Sequence, residues 1–370
     1  MQLKDLKSYP AVYAVGDEYQ IISVFSCEVL VWVEIGEEKF FDDSNGIIRS
    51  ARPVHKVAVP AELLNEKKEY SICYRRVIER KPYYTETEDP ISLTFKFRPI
   101  ESEKINIYHI SDAHNKVDPP IAAGKYFGDE LDLLVLNGDI PNHSGDIKNF
   151  DAIHEIAGEI TKGELPVIFS RGNHDMRGIY AEYIADYTPT DGGNSYFTFR
   201  LGDMWGMVLD CGEDKPDTSI EYGNTVCCEA FRRRETRFIE KVIRNAKNEY
   251  LADGVKKRIV ISHDPFTYTP VPPFDIEKEL YAYWAKLIGE NIKPDFMLCG
   301  HMHKTLVSYP GGALDNKGQP CPVVIGADPH KKEEGPDRFD GCAIIYENGK
   351  VTVKFTDQNQ NLIGEECFEI

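Results

Sequence analysis

The sequence predicts a mixed α/β (α+β) protein in two parts: a small all-β sandwich over residues 1–100 and a four-layer β-sandwich flanked by helices over residues 101–370. Three observations predict this organisation. Short β-rich runs separated by turn residues fill the first hundred positions, whereas strands alternate with helical patterns after Pro99. In addition, 370 residues exceed the length of a typical single core. An accessory domain followed by a larger α/β domain is therefore expected.

The first hundred residues have the pattern of an antiparallel sandwich of the immunoglobulin or fibronectin kind. Turn signals such as Gly16-Asp17, Ser44-Asn45-Gly46 and Asp89-Pro90 separate its apolar runs. Its predicted strands cover residues 9–15, 20–25, 29–35, 54–59, 70–78 and 91–97.

The second part alternates strands with helices. A helix over 229–250 has the strongest support, because apolar residues from Phe231 to Tyr250 recur at helical spacing. Its Arg232-Arg233-Arg234 run is predicted to lie on a solvated face. The other predicted helices cover 150–162, 177–185 and 276–290. The predicted strands cover 105–110, 133–136, 167–169, 195–200, 259–261 and 296–298, with a second sheet formed by 205–210, 323–325, 343–346 and 351–355.

Composition and charge exclude several classes of protein. The formal net charge of −18 repels polyanions, which argues against a protein that coats nucleic acid or binds anionic membranes. No apolar stretch approaches membrane-spanning length, and the first twenty residues lack the apolar core of a signal peptide. Nine cysteines without a CxxC pair indicate reduced thiols. A cytoplasmic protein is the expectation.

Five polar motifs follow five of the predicted strands, each directly after a short apolar run. Because the carboxyl ends of parallel strands form the ligand-binding crevice of open α/β sheets, all five are expected to converge. The motifs are Asp112-Ala113-His114, Gly138-Asp139, Gly172-Asn173-His174-Asp175, His263 and Gly300-His301-Met302-His303.

The residue types in these motifs favour a metal site. Carboxylates and imidazoles with one amide oxygen suit Mn, Fe, Zn or Co, and the absence of thiolates argues against a structural zinc site. Asp139 is the natural carboxylate to bridge two ions. Two such ions about 3.5–4 Å apart activate water and hold both oxygens of an in-line displacement, which fits phosphoester hydrolysis.

The order of the motifs resembles that of the calcineurin-like metallophosphoesterase superfamily, whose pattern is DxH, GDxx, GNH[DE], H and GHxH. All five are present between about residues 105 and 305. The resemblance implies two metal ions, divalent or of mixed valence. It implies one ion on Asp112, His114, Asp139 and His303, and a second on Asp139, Asn173, His263 and His301. It also implies that His174 serves the leaving group or the developing charge, with Asp175 fixing its orientation.

An N-terminal β-sandwich ahead of such a catalytic part is similar to the layout of purple acid phosphatases. Those enzymes place a metal-binding tyrosine three residues after the bridging aspartate, where this chain has Asn142. They also lack the histidine that His114 supplies. A tyrosinate–iron centre is therefore not expected.

Six further residues are candidates for substrate contact, each with a structural alternative. Arg171 can clamp a phosphate oxygen or form an ion pair. His143 and Asn142 lie just past Asp139, where a side chain can enter the cleft or belong to an exposed loop. Tyr222, Phe266 and Tyr268 lie in long loops that can act as lids, or their rings can simply anchor those loops.

The predicted function is metal-dependent phosphoester hydrolysis, with a metal-bridging hydroxide attacking phosphorus in line and phosphomonoesters favoured over diesters. A phosphodiesterase acting on a small or nucleotide substrate is the first alternative. A non-catalytic binding scaffold is the second, and the completeness of the ligand motifs argues against it. The expected partner is a small phosphorylated substrate, not nucleic acid or a membrane. The N-terminal sandwich either shapes the substrate cleft or mediates homo-oligomerisation.

Overall fold

Strands dominate the computed structural model, which describes residues 3–42, 51–330, 338–347 and 349–370. Within these ranges there are twenty strands and six α-helices. The strands, β1 to β20, are Ala11–Val15, Glu18–Val24, Val29–Ile35, Glu38–Phe40, Val54–Pro60, Glu69–Arg80, Thr85–Thr87, Ile91–Lys96, Ile105–Ile110, Leu133–Asn137, Pro166–Ser170, Phe197–Leu201, Met204–Leu209, Lys257–Ser262, Phe296–Cys299, Lys304–Ser308, Val323–Ala327, Asp340–Glu347, Lys350–Asp357 and Leu362–Glu369. The helices, α1 to α6, are Ala61–Lys67, Asp118–Gly124, Asp151–Thr161, Ile184–Tyr187, Cys228–Arg244 and Lys278–Leu287.

Two large sheets carry the predicted motifs. Nine strands lie in the order β20-β19-β18-β9-β10-β11-β1-β2-β5, and six lie in the order β12-β13-β14-β15-β17-β16. Strands β9, β10 and β11 are parallel in the first sheet, as are β13, β14, β15 and β17 in the second. The loops that follow these parallel strands therefore gather at one edge of each sheet.

The two sheets pack face to face, and helices cover their outer faces. Strand β10 shows how the sequence produces this, because alternate side chains of a strand point to opposite faces. Leu133 and Val135 join the core between the sheets, which also contains Ile259 from β14. Leu134 and Leu136 instead pack in the core that includes residues of α3. Helices α5 and α6 cover the second sheet in the same way. The predicted four-layer α/β class is confirmed.

The strands of the first hundred residues are shared between two sheets, which corrects the single N-terminal sandwich that the sequence predicted. Strands β1, β2 and β5 extend the nine-stranded sheet, where Val12 and Tyr13 pair in parallel with Pro166 and Val167 of β11. Strands β3, β4, β6, β7 and β8 form a smaller sheet. The region is β-rich as predicted, but alternation of side chains could not show which sheet each strand joins.

The prediction that β18 and β19 belong to the second sheet is also wrong. They were predicted to extend the second sheet, but β18 pairs with β9 in the nine-stranded sheet. The alternation of their side chains fits either sheet, so the partner was not visible in the sequence.

The predicted helix over 177–185 is wrong. In its place are a 3₁₀ turn at Ala181–Tyr183 and the short helix α4. Gly178 adopts φ 142°, and a Cβ there would lie 2.3 Å from the backbone nitrogen of Gly145, so the chain is extended where a helix was expected. Helices α3, α5 and α6 lie where helices were predicted, although α5 ends at Arg244.

Arg232 is buried rather than solvated. Only 1% of its surface is exposed, and its guanidinium donates to the carbonyl oxygens of Cys211 and Glu213. It thereby ties α5 to the loop after β13.

Three smaller observations complete the fold. The turn predicted at Ser44 to Gly46 lies outside the described residues. All nine cysteines are unpaired, in agreement with reduced thiols. Among the helices of the described residues, none is both long and apolar enough to cross a bilayer.

Candidate metal centre

The loops after five parallel strands bring the predicted ligands together. Asp112 follows β9, Asp139 follows β10 and Asn173 follows β11, while His263 and His301 follow β14 and β15. Five of the predicted ligands have left-handed backbones, with φ between 46° and 67°: Asp112, His114, Asp139, His301 and His303. Such conformations cost about 1–3 kcal/mol each for residues other than glycine and cluster at functional sites.

Glycine residues allow the loops to approach closely. A Cβ on Gly172 would lie 2.3 Å from Asp139 Oδ1, and one on Gly300 would lie 2.7 Å from Asp112 Oδ2. Neither distance is compatible with a side chain. The glycines that precede Asn173 and His301 are therefore required because their backbones pack directly against the carboxylates of Asp139 and Asp112.

Asp112, His114 and His303 form the first group of ligand atoms. His303 Nε2 lies 3.4 Å from Asp112 Oδ1 and 3.1 Å from His114 Nε2. The Asp112 carboxylate is fully buried and accepts hydrogen bonds from the hydroxyl of Ser111 and from the backbone N–H of His301. These donors fix the orientation of Asp112 and link the first motif to the last.

Asp139, Asn173, His263 and His301 form the second group. His263 Nδ1 donates to the carbonyl of Asn137 at 2.7 Å, which leaves the Nε2 lone pair facing Asp139 Oδ2 at 3.3 Å. Asn173 Oδ1 lies 3.1 Å from His301 Nδ1. The same amide atom lies 3.2 Å from Asp139 Oδ2 and 3.3 Å from His263 Nε2.

These atoms fit a metal ion in both spacing and chemistry. Metal–ligand bonds of about 2.0–2.2 Å at tetrahedral or octahedral angles separate ligand atoms by about 2.8–3.6 Å, which covers the distances above. Moreover, an amide oxygen at Asn173 faces three acceptor atoms, which a cation between them would make favourable; without a cation, the amide turned over would donate to the same three atoms. Asp139 belongs both to a group with His114 and His174 and to a group with His263 and His301.

The pKa shifts within the cluster also indicate a metal site. Burial disfavours a charged His263, but the carboxylates of Asp139 and Asp112 outweigh it and raise the pKa of His263 to about 10. Burial opposes ionisation of Asp139 too, yet the nearby imidazoles hold its pKa below the ordinary value. In the absence of a metal, a proton on His263 compensates the buried negative charge that a metal ion would otherwise neutralise.

His174 lies beside the two groups rather than within the predicted ligand sets. Its ring centroid is 4.7 Å from that of His114. Its Nδ1–H donates to the carbonyl of Asn142 at 2.7 Å, and its Nε2 accepts from Arg177 Nη1 at 3.1 Å. Asn142 thus contributes its backbone carbonyl to the site, whereas the sequence suggested its side chain.

Asp175 does not orient His174, which corrects the role that the resemblance implied. Its buried Oδ2 accepts from the backbone N–H of Gly172 at 2.7 Å and of Asp139 at 3.3 Å. Burial and the neighbouring Asp139 raise the pKa of Asp175 well above its ordinary value. Asp175 therefore joins the loops after β10 and β11, while the Asn142 carbonyl holds the imidazole.

Arg171 and His143 both have the structural contacts that were given as alternatives. Arg171 Nε donates to the buried Asp210 at 2.6 Å, and its guanidinium lies 5.6 Å from the centre of the Phe231 ring. His143 is exposed, and its Nδ1 accepts from the backbone of Gly145 at 3.0 Å within its own loop.

A network centred on Arg177 also reaches the site, although no motif in the sequence contains it. Its Nε donates to Glu213 Oε2 at 2.9 Å and its Nη2 donates to Asp214 Oδ1 at 2.7 Å. The Tyr222 hydroxyl donates to Glu213 at 3.0 Å, so Tyr222 reaches the site through this network. Asp214 also approaches Asn173, with 3.5 Å between Oδ2 and the amide nitrogen. In the sequence, only the position of Arg177 three residues after His174 indicated that it could belong to the site.

The two aromatic residues after His263 have different surroundings. Phe266 is 1% exposed and packs against Tyr281 and Trp284, so it belongs to the core under α6 and is not a substrate contact. Tyr268 is half-buried, and its carbonyl accepts a hydrogen bond from Lys317.

Comparison with known proteins agrees with this site. The model of the calcineurin-like phosphoesterase family matches residues 105–305, which is more than half of the chain and includes all five motifs. No curated protein matches the chain significantly.

Two solved structures share the fold across nearly the whole chain. The purple acid phosphatase PPD1 from yellow lupin (Lupinus luteus) seeds aligns with a TM-score of 0.61 and 13% identity, over 99% of this chain and 74% of that one. The structure of PhoD aligns with a TM-score of 0.55 and 11% identity, over 99% of this chain and 91% of that one. At such identities the likeness establishes the fold alone. The family match and the gathered motifs together show that the chain belongs to the calcineurin-like phosphoesterase family and is a metal-dependent phosphohydrolase.

Proposed function

We propose that the chain hydrolyses small phosphoesters with two metal ions bound side by side. The first ion would be held by Asp112, His114, Asp139 and His303. The second would be held by Asp139, Asn173, His263 and His301. The metals considered are Mn, Fe, Zn and Co, because the donors are imidazole nitrogens and carboxylate or amide oxygens.

The position of Asp139 carries this proposal. Its carboxylate is almost fully buried, and it belongs to two groups of ligand atoms, one with His114 and His174 and one with His263 and His301. A buried carboxylate that faces imidazole lone pairs needs positive charge nearby. One ion in each group would supply that charge.

The metal ions would polarise the phosphoryl oxygens and lower the pKa of a water molecule. The chain's own residues would orient the ester. The carbonyl of Asn142 holds the His174 ring, so that Nε2 faces Arg177. Because Nε2 accepts a hydrogen bond from Arg177 Nη1, His174 would hold this cation beside the centre and so serve the developing charge, rather than protonate the leaving group.

Phosphomonoesters remain the first candidate, but one observation favours diesters. Asp214, Asp264 and Arg171 line the small cavity beside Asn173, His263 and His301, so its carboxylates outnumber its one guanidinium. Carboxylates at the rim repel a dianionic monoester more strongly than a monoanionic diester. A phosphodiesterase with a small or nucleotide substrate is therefore the second candidate.

The test is hydrolysis of p-nitrophenyl phosphate and bis-p-nitrophenyl phosphate by metal-stripped protein reloaded with Mn, Fe, Zn, Co or Ni. We expect metal-dependent turnover that His263→Ala abolishes. His143→Ala is the matched control, because this exposed histidine has no place in either ligand set and its loss should leave turnover unchanged.

The faster ester decides between phosphatase and phosphodiesterase. Two bound ions without turnover of either ester would count against hydrolysis of these simple esters. Protein that binds no metal at all would favour the non-catalytic scaffold.

A further inference from the structure

We propose that Arg177 is the phosphate-binding cation of this site, and that Glu213, Asp214 and Tyr222 hold its guanidinium in place. The proposal rests on the proposed function, because it assumes that a phosphoryl group occupies the metal centre. It adds a substrate contact that none of the five motifs contains.

The guanidinium of Arg177 is held on two sides by carboxylates. Nε donates to Glu213, and Nη2 donates to Asp214. Glu213 is buried and also accepts from the Tyr222 hydroxyl, which fixes the carboxylate in turn. A guanidinium fixed in this way loses little conformational entropy when it binds a further group.

The free edge of the guanidinium faces the metal centre. Nη1 donates to His174 Nε2, and one ring nitrogen of His174 lies within 4.8 Å of ligand atoms of His114 and Asp139. Three of the five N–H groups of Arg177 bind Glu213, Asp214 and His174, so one remains on each terminal nitrogen. The side chain is 27% exposed, and Nη2 also lies 3.0 Å from an amide atom of Asn173, so the remaining N–H of Nη1 is the one left for a ligand.

An N–H group of a fixed cation at the edge of the metal centre suits a phosphoryl oxygen, because hydrogen bonds from a guanidinium to a phosphate are stronger than those between neutral groups. His174 would then act as a positioning residue, because its Nε2 lone pair holds Nη1 at the edge of the centre.

Arg171 offers a matched comparison within the same loop. It lies two residues before Asn173, as Arg177 lies four residues after it, and both arginines form ion pairs with buried carboxylates. However, Arg171 packs over the Phe231 ring and pairs with Asp210, and it makes no contact with His174 among the described interactions. We therefore expect Arg171 to support the loop without binding phosphate.

The experiment measures binding of inorganic phosphate to the metal-loaded protein by calorimetry, with metal content determined by mass spectrometry. Arg177→Gln should raise the dissociation constant for phosphate by about 10- to 100-fold, the value of one lost charge-assisted hydrogen bond. Arg177→Lys should show a smaller increase, since an ammonium keeps the charge without the fixed planar geometry of the guanidinium. Arg171→Gln should change the constant less than about threefold, and all three should keep the wild-type metal content.

Several results would overturn the proposal. These are wild-type protein that binds metal but no phosphate, an unchanged constant in Arg177→Gln, or an equal loss in Arg171→Gln. Loss of metal in Arg177→Gln would instead assign Arg177 to supporting Asn173. If Arg177→Gln does not fold, an unchanged constant in Arg177→Lys overturns the proposal. Wild-type protein that binds metal and phosphate yet hydrolyses neither ester would refute the proposed function alone.

Discussion

Replacement of Gly172 by alanine tests how closely the loops must approach to form the metal centre. Gly172 precedes Asn173, and its backbone N–H donates to Asp175. The added methyl group would lie 2.3 Å from Asp139 Oδ1 and 2.5 Å from the Asp139 backbone nitrogen. One of the two loops must therefore move.

The size of that movement follows from the distances. Cβ atoms are essentially never found closer than 3.0 Å to another residue's heavy atoms, so the methyl group and Oδ1 must separate by a further 0.7 Å. Metal–ligand distances tolerate only about 0.2 Å of error. We therefore expect Gly172→Ala to weaken metal binding by at least about 100-fold, the upper end of the effect of disturbing a ligand's supporting contacts. Overpacking should also reduce the free energy of unfolding by about 1–3 kcal/mol.

Calorimetric titration of the stripped protein with Mn²⁺ measures the first effect, and chemical denaturation with and without metal measures the second. Gly364→Ala is the matched control, because its added methyl group meets no atom closer than 3.5 Å. The reasoning would be refuted if Gly172→Ala bound Mn²⁺ within threefold of the wild-type affinity.

Three further predictions concern the residues around the centre and the N-terminal region. Asp175→Ala should lose about 2–6 kcal/mol of unfolding free energy, because two buried backbone N–H groups lose their acceptor. Asp175→Asn should lose about 1 kcal/mol or less. Denaturation curves that show equal losses for the two variants would contradict this prediction. Phe266→Ala should lose about 3–5 kcal/mol in the same assay with KM unchanged, and a raised KM at wild-type stability would restore its role as a substrate contact. Hydrogen bonds from Arg76 hold the pKa of Asp5 below its ordinary 3.8. The ionised Asp5 carboxylate therefore stabilises the fold above pH 3.8, and this stabilisation is lost as the pH falls through the lowered pKa. The difference in unfolding free energy between wild type and Asp5→Asn should therefore shrink from about pH 5 to about pH 3, and a constant difference would count against the ion pair.

Some parts of the centre could be predicted because they depend on local sequence. Asp112, Asp139 and His263 each follow a buried strand, and the short apolar runs of those strands are visible without a structure. Strand ends meet at one edge of a parallel sheet, so the convergence of these side chains followed from topology. The identity of the donors then indicated metal chemistry.

Other parts could not be predicted because they depend on distant partners. The position of the Arg177 guanidinium depends on Glu213 and Asp214, which lie in a loop whose sequence has no helix or strand periodicity. Arg232 has the same charge and helical setting as its exposed neighbours, and only the carbonyl groups beneath it explain its burial. Asp175 was assigned a role by its position next to His174, but its carboxylate turns towards the backbone of Gly172 instead.

Because β1 pairs in parallel with β11, the beginning of the chain belongs to the same sheet as the strands that carry the metal centre. A shortened protein that starts near residue 100 would leave the inner edge of β11 with free amide and carbonyl groups, which invite aggregation. During synthesis, β1 can pair with β2 at once, but its other edge must remain unpaired until β11 has emerged from the ribosome. Because such distant parallel pairing is intrinsically slow, this step is the natural point at which chaperones would be needed.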